Sequence, residues 1–461
     1  MALETPTVAD AADARRASVS SQPWPRPAIA WYAVVIFAVV LMLGQMEQSV
    51  IQFLIAPIKA DFVLRDWQVS LLIGFAPSIF YTLIGLPLSR LVDTLRRNVL
   101  LCVALGMGGV MTSISGLAQN FWQFAGCRVL VGGGGAIAGP GTYSLMADYF
   151  PRPRLPRAIA FMQIGYISGR GLALVFGGIL AGLVATWPAA HFGPLLIRNW
   201  QMVFLMVGGL GIIGGLLFLT VPEPARRGRI VTEPGRVMTI WQVVGFLFTH
   251  WRLYAPQFLA LAFSAVETYG NESWRVVFMQ RTYGWGPKQS GEWLGFSAIA
   301  AQLLGLVFGT WITERLARRR DDANLRAVAI FYSLTPIFAI AGPLMPDPRL
   351  AVACAALTGM CGLAGAVPQN AALQSVTPNE MRGQVTALYL FVFSAIGIGL
   401  GPTFMALITD FIVRDESKLR YAMAGSAAIM TPLAALIMWA GVGPYGRAIA
   451  EVKAREAQGH G

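Results

Sequence analysis

The chain has 461 residues, of which 56% are hydrophobic and only 13% charged, with a mean hydropathy of +0.59 and a formal net charge of +12. Soluble domains carry about 25% charged residues, so the composition excludes an ordinary globular enzyme. The phosphate-binding pattern GxxxxGK[ST] is also absent, which excludes a nucleotide-driven motor of that class.

Residues 1–29 are polar, contain Pro23, Pro25 and Pro27, and lack the apolar core and cleavage site of a signal peptide. They read as a disordered cytoplasmic leader. Twelve apolar segments follow, at 30–56, 67–91, 98–118, 121–148, 158–186, 201–221, 255–278, 290–313, 325–345, 350–375, 384–409 and 420–442. Each is long enough for a helix to cross a bilayer, which takes about 20 residues. With the leader cytoplasmic, the inner connections hold 23 of the 35 Lys and Arg, counting Arg90 and Arg326 at the inner ends of their segments. That is the positive-inside asymmetry. The charge therefore reports topology and contact with anionic lipid rather than nucleic acid, and the tail at 443–461 is cytoplasmic like the leader.

The longest inner connection, 222–254, carries Arg226, Arg227, Arg229 and Arg236 and divides the chain into six segments at 30–221 and six at 255–442. Within it, residues 238–250 are apolar but too short to cross. A helix lying on the inner surface and a plain linker with a buried turn both fit. The fold class expected is an all-α membrane protein of two six-helix bundles. Cys102, Cys127, Cys354 and Cys361 all fall inside apolar segments without metal-ligand spacing, and His191 and His250 have no ligand companions. No enzyme, cofactor or metal is expected.

One pattern occurs twice, about half a chain apart. Asp93 with Arg97 follows the second segment, and Glu314 with Arg318 follows the eighth. A motif recurring at that distance implies a duplicated bundle, the architecture that supports alternating access.

With Leu91, Asp93 and Arg97 after the second segment, Glu314-Arg315 and Arg318 after the eighth, and Arg128 followed by Gly132, Gly134 and Ala136 in the fourth, residues 30–442 resemble the major facilitator superfamily. A nearer likeness is to the bacterial branch of the spinster family. It rests on Pro57-Ile58-Lys59-Ala60-Asp61, Ser144–Pro151, Tyr269-Gly270, Trp274, Gln280–Trp285 and Gly397–Pro402. The chain departs from that family in having Glu47-Gln48 where Asp-Arg is usual, and Gly135 where a glutamate is usual. The resemblance implies a bacterial inner-membrane transporter, a proton gradient as energy source, and lysolipid or sphingoid cargo. It also implies that Asp93, Arg97 and Asp148, with Glu314 and Arg318, latch the inner side; the alternative is charge that only sets topology.

Ionised side chains within a bilayer cost about 2.5–3.5 kcal/mol on insertion scales and mark pathways. Six stand out: Glu47, Arg128, Arg170, Glu267, Glu272 and Arg275. Glu47 and Arg128 lie roughly 12 and 10 Å below the outer ends of their segments at 1.5 Å per residue. Both segments line the cavity in the superfamily, so the two residues are expected to meet. Glu47 is the expected proton site with Arg128 as its partner, the alternative being a static ion pair. Arg170 suits a carboxylate, phosphate or sulfate on the substrate, or an ion pair with Glu47 or a neighbouring glutamate. Glu272 and Arg275 are expected to pair locally at i,i+3. Glu267, Tyr269 and Trp274 suggest an aromatic cavity wall for a flat or amphiphilic ligand, against plain core packing. The expected protein is thus a monomeric secondary transporter in membrane lipid, carrying a small organic anion or zwitterion with proton coupling. Lysolipid export, uncoupled uniport or exchange, and a non-transporting sensor are the alternatives.

Overall fold

The computed structural model describes residues 24–79, 81, 95–151, 153–192, 195–226, 239–378 and 380–459. Twelve helices match the twelve apolar segments. They are α1 (Pro27–Phe53, ending in a 3₁₀ turn), α2 (beginning at Asp66), α3 (Arg97–Ser115), α4 (Phe121–Tyr149), α5 (Leu155–Val184), α6 (Asn199–Leu217), α7 (Trp251–Tyr283), α8 (Pro287–Ala317), α9 (Ala323–Leu344), α10 (Pro348–Val376), α11 (Arg382–Val413) and α12 (Leu419–Gly459). Among the described residues, nine helices are long and apolar enough, by length and composition, to cross a membrane. Local chemistry sets their ends. Proline opens α1, α8 and α10, where its missing N–H costs nothing. Asn120 Oδ1 accepts from Gln123 N at 2.9 Å to cap α4. Gly284, at φ 68°, ends α7 in the left-handed conformation that favours glycine.

α12 runs on past its expected end at Val442. Tyr445 and Ile449 are buried against the second half, and Lys453 pairs with Asp321, so packing carries the helix beyond the apolar stretch. Between the halves, Ile240–Thr249 forms a short helix with Val243 buried and Trp241 and Phe248 exposed. A small hairpin of β1 (Ala190–Phe192) and β2 (Leu195–Ile197) joins α5 to α6.

Three apolar cores organise the bundle. One unites both halves, joining Val50, Phe53, Phe124 and Phe204 to Trp274, Leu294 and Met405. The other two belong to single halves: Ala33, Phe37, Leu145 and Tyr149 in the first, Tyr254, Val328, Tyr389 and Tyr445 in the second. The shared core therefore joins the halves at the end remote from the termini, and toward the termini the described residues form a separate core in each half. Outward faces carry exposed Leu183, Ile213, Val307 and Leu436, the surface a hydrocarbon solvent requires.

Two seams make the joint. α5 packs on α8, where a Cβ on Gly178 would stand 2.5 Å from Pro287 O. α2 packs on α11, where a Cβ on Gly74 would stand 2.6 Å from Ile398 O and 2.8 Å from a Pro402 carbon. Gly74 lies in a π-turn at Leu71–Phe75, and it faces a π-segment at Phe393–Leu400. Such bulges shift the helical register locally. Since α8 and α11 are the second-half counterparts of α2 and α5, the same contact occurs twice.

Candidate functional site at the seam of the two halves

At mid-depth α5 presents Arg170 to α7. Its NH2 pairs with Glu272 Oε2 across the seam, and its guanidinium carbon stands 6.0 Å from the Tyr269 ring centroid. Arg170 and Glu272 are only partly buried and line a cavity of about 280 Å³ running into the second half, whose wall also holds Arg275, Asn271, Tyr332 and Gln369. The expected local pair of Glu272 with Arg275 does not form, because Arg170 of the opposite half takes the carboxylate. Glu267 also lines this cavity, held by Asn271 Nδ2 and by Ser426 Oγ at 2.9 Å. Trp274 is not in the wall. It is fully buried, donates from Nε1 to Pro402 O at 3.0 Å, and lies 5.9 Å from the Arg281 guanidinium carbon. Tyr269 is not among the residues lining the cavity either; it stacks edge-on with Phe393, which does line it, 5.4 Å between centroids.

Glu47 and Arg128 lie elsewhere, inside the first half and outside the wall of this cavity. Glu47 is tucked into the space left by two glycines: a Cβ on Gly211 of α6 would overlap its carboxylate, and one on Gly108 of α3 would stand 3.3 Å from it. Arg128 sits 6.0 Å from the Phe204 ring centroid, and its Nε and NH1 have no hydrogen-bond partner among the described residues. The two are within electrostatic range, but no ion pair joins them among the described residues. The expected contact fails because the glycines of α3 and α6 draw Glu47 sideways, away from α4.

The end remote from the termini carries a network that composition and periodicity did not reveal. Asp66, the first residue of α2, is fully buried. Arg281 from α7 reaches it with NH1 at 2.7 Å and NH2 at 2.9 Å. Lys59 pairs with both Asp66 and, at 2.6 Å, Glu416. Trp67 N donates to Asp410 Oδ2 at 2.8 Å. Burial raises the Asp66 carboxyl, but the hydrogen bonds and charges of Arg281 and Lys59 outweigh it and hold the group below the ordinary carboxylate range. Oxygens of Asp66, Asp410 and Glu416 come within 4.8 Å of one another, a metal-like spacing; here Lys59 and Arg281 supply the positive charge. The one signal in the sequence was the pair of short charged stretches, Lys59–Asp66 and Arg281, flanking segments whose connection to each other only the fold reveals.

At the terminal end the structure brings Arg97 to Asp148, as expected, and adds Glu223, 2.8 Å from Arg97 Nε. Ser144 Oγ accepts from Arg97 NH1 at 2.9 Å. Asp93 lies outside the described residues. Glu314 and Arg318 are both exposed and share only a backbone hydrogen bond, since water competes for their charges, whereas the nearby Asp322 pairs with Arg326, both only partly exposed.

A family model described as Major Facilitator Superfamily matches residues 36–402. An "MFS-type efflux pump" of Mycolicibacterium smegmatis is 26% identical over 433 residues, 92% of this chain and 95% of that protein. A "Gallate transporter" of Pseudomonas putida is 25% identical over 418 residues, 83% of this chain and 86% of that protein. Among solved structures, a bacterial homolog of the human lysosomal transporter spinster, crystallised inward-facing and unoccupied, superposes with a TM-score of 0.74 at 21% identity, covering 92% of this chain and 98% of that one.

Proposed function

Because the chain belongs to the Major Facilitator Superfamily and so is a transporter working by alternating access, we propose that its cargo is a small organic anion held at Arg170 and that a proton gradient drives it. The observation that carries this is the guanidinium of Arg170 at the seam of the halves, beside a cavity of about 280 Å³. A planar guanidinium fork binds carboxylates bidentately. The gallate transporter among the relatives, whose named cargo is an aromatic carboxylate, supports the same class of solute.

The termini are assigned to the cytoplasm on the positive-inside count, in a bacterial inner membrane and as a monomer. The end carrying the termini is then the inner one, and the network of Asp66 and Arg281 lies at the outer one. Proton coupling is assigned to Glu47 with Arg128. A buried carboxylate near a guanidinium, without touching it, changes its balance of desolvation and attraction as the helices around it move.

The test is flux of a panel of organic anions into proteoliposomes under imposed pH gradients. Gradient-dependent uptake of carboxylates should fall at least tenfold in Arg170→Gln, the scale set by losing a charged hydrogen bond. Glu47→Gln should keep binding and lose the pH dependence. Transport confined to neutral or cationic solutes would overturn the anion reading; an unchanged pH dependence in Glu47→Gln would overturn the coupling.

A further inference from the structure

We propose that Glu272 is the resident occupant of the anion site at Arg170, and that an incoming carboxylate displaces it onto Arg275. This rests on the organic-anion reading of Arg170 and deepens it: the substrate offers one carboxylate, which substitutes for a carboxylate of the protein itself.

The two residues come from different halves, Arg170 from α5 and Glu272 from α7, and their side chains are 28% and 21% exposed, so a solute in the cavity reaches both. The pair is therefore neither sealed in a core nor free at a surface. Arg275 lines the same cavity, three residues beyond Glu272 on α7. Residues three apart on a helix share a face, so the Glu272 carboxylate passes between the two guanidiniums by side-chain rotation alone. Arg275 has no ion-pair partner within 4 Å among the described residues, although Glu272, Glu267 and Arg170 all act on it electrostatically. Glu267 is already engaged by Asn271 and Ser426, which leaves Glu272 as the carboxylate able to move.

The exchange ends with each of these charges partnered, Arg275 included. Before it, Arg170 holds Glu272. After it, Arg170 holds the substrate carboxylate, Arg275 holds Glu272, and Glu267 keeps its two donors. That matters because removing one partner of a desolvated pair leaves a buried charge uncompensated. The swap also alters what joins the halves. Glu272 bonded to Arg170 ties α7 to α5 directly, whereas Glu272 bonded to Arg275 is a contact within α7, and the substrate becomes the link.

The experiment is binding of benzoate and acetate, with benzamide as the uncharged match, to purified full-length protein in detergent. Four forms are titrated: wild type, Glu272→Gln, Arg275→Gln and the double variant Glu272→Gln/Arg275→Gln. Glu272→Gln removes the competitor and should bind benzoate about tenfold tighter than wild type, a gain that structural damage does not produce. Arg275→Gln should weaken binding severalfold, but only while Glu272 is present, so the double variant should match Glu272→Gln. Benzamide should respond to none of them. Thermal unfolding of each form verifies that it is folded. Equal or weaker benzoate binding in Glu272→Gln, carboxylate binding undetectable in every form, or an Arg275 effect that persists without Glu272 would each overturn the proposal. Because no flux is measured, its failure is separable from that of the transport reading: anion uptake lost in Arg170→Gln, with no tightening in Glu272→Gln, leaves the function intact and removes only the exchange.

Discussion

Asp66 and Arg281 hold each other through two hydrogen bonds, 2.7 and 2.9 Å long, although 215 residues and a boundary between two bundles separate them. The carboxylate is fully buried and the guanidinium partly so. Lys59 and Glu416 extend the pair on either side. This is the polar lock over the apolar core that unites the halves, and it sits where that core ends.

Arg281→Gln should open that end. Deleting one partner of a buried pair costs about 3–5 kcal/mol, and Lys59 remains to offset part of it. A cysteine introduced at Trp67 should become reactive to a bulky aqueous thiol reagent in Arg281→Gln while remaining slow in the Arg281-containing parent. Equal labelling rates would mean that apolar packing alone closes the end.

The same lock should respond to acid. The Asp66 carboxyl is held below its ordinary value, net of burial, by Arg281 and Lys59. Its stabilisation is therefore fully present above the unfolded value, about 3.9, and is lost as pH falls through the lower folded value. Thermal unfolding of the wild type should be insensitive to this group from pH 7 to 5 and fall below about pH 4. Asp66→Asn should be less stable near neutrality and lack that acid limb.

Gly74→Val tests the seam between α2 and α11. A Cβ there meets Ile398 O, a backbone atom, at 2.6 Å and a Pro402 ring carbon, tied to its own backbone, at 2.8 Å, and neither can step aside. Overpacking of this kind costs about 1–3 kcal/mol. The variant should lose stability and label faster at the Trp67 cysteine, whereas Gly106→Val, where a Cβ meets nothing within 4 Å, should do neither.

At the other end, Asp148→Asn should cost more than Glu223→Gln. Arg97 is buried with both, but the Asp148 side chain is 5% exposed and that of Glu223 22%. Solvent screens the second pair more strongly. Chemical or thermal unfolding of the two single variants and the double variant measures the order and the coupling. A larger loss in Glu223→Gln would reverse this ranking.

Much of the architecture was readable from segment lengths. A run of 20 apolar residues with few charges has one stable state in a bilayer, so twelve such runs specify twelve helices. The chain ends of α12 were not readable, because Tyr445, Ile449 and Lys453 are held by tertiary contacts rather than by continuous hydropathy. The charged residues were easy to find and hard to pair. Arg97 with Asp148 was foreseen from the family resemblance. Glu272 was assigned to Arg275 by helical spacing, yet the structure gives it to Arg170, since an ion pair across the seam satisfies two desolvated groups from different halves. Glu47 was assigned to Arg128 by equal depth, but depth does not report rotation about the helix axis. Gly108 and Gly211 decide that rotation by leaving room on one side.

The amino-acid sequence by itself determined that this protein crosses a membrane as two related groups of six helices, because hydropathy and repeated motifs are properties of consecutive residues and the bilayer acts on each segment separately. Only the tertiary structure decided which end is sealed, which charges face one another and which carboxylate occupies the guanidinium at the seam. Those depend on how helices distant in the chain rotate and approach, and glycine-sized gaps set that approach to within a few tenths of an ångström.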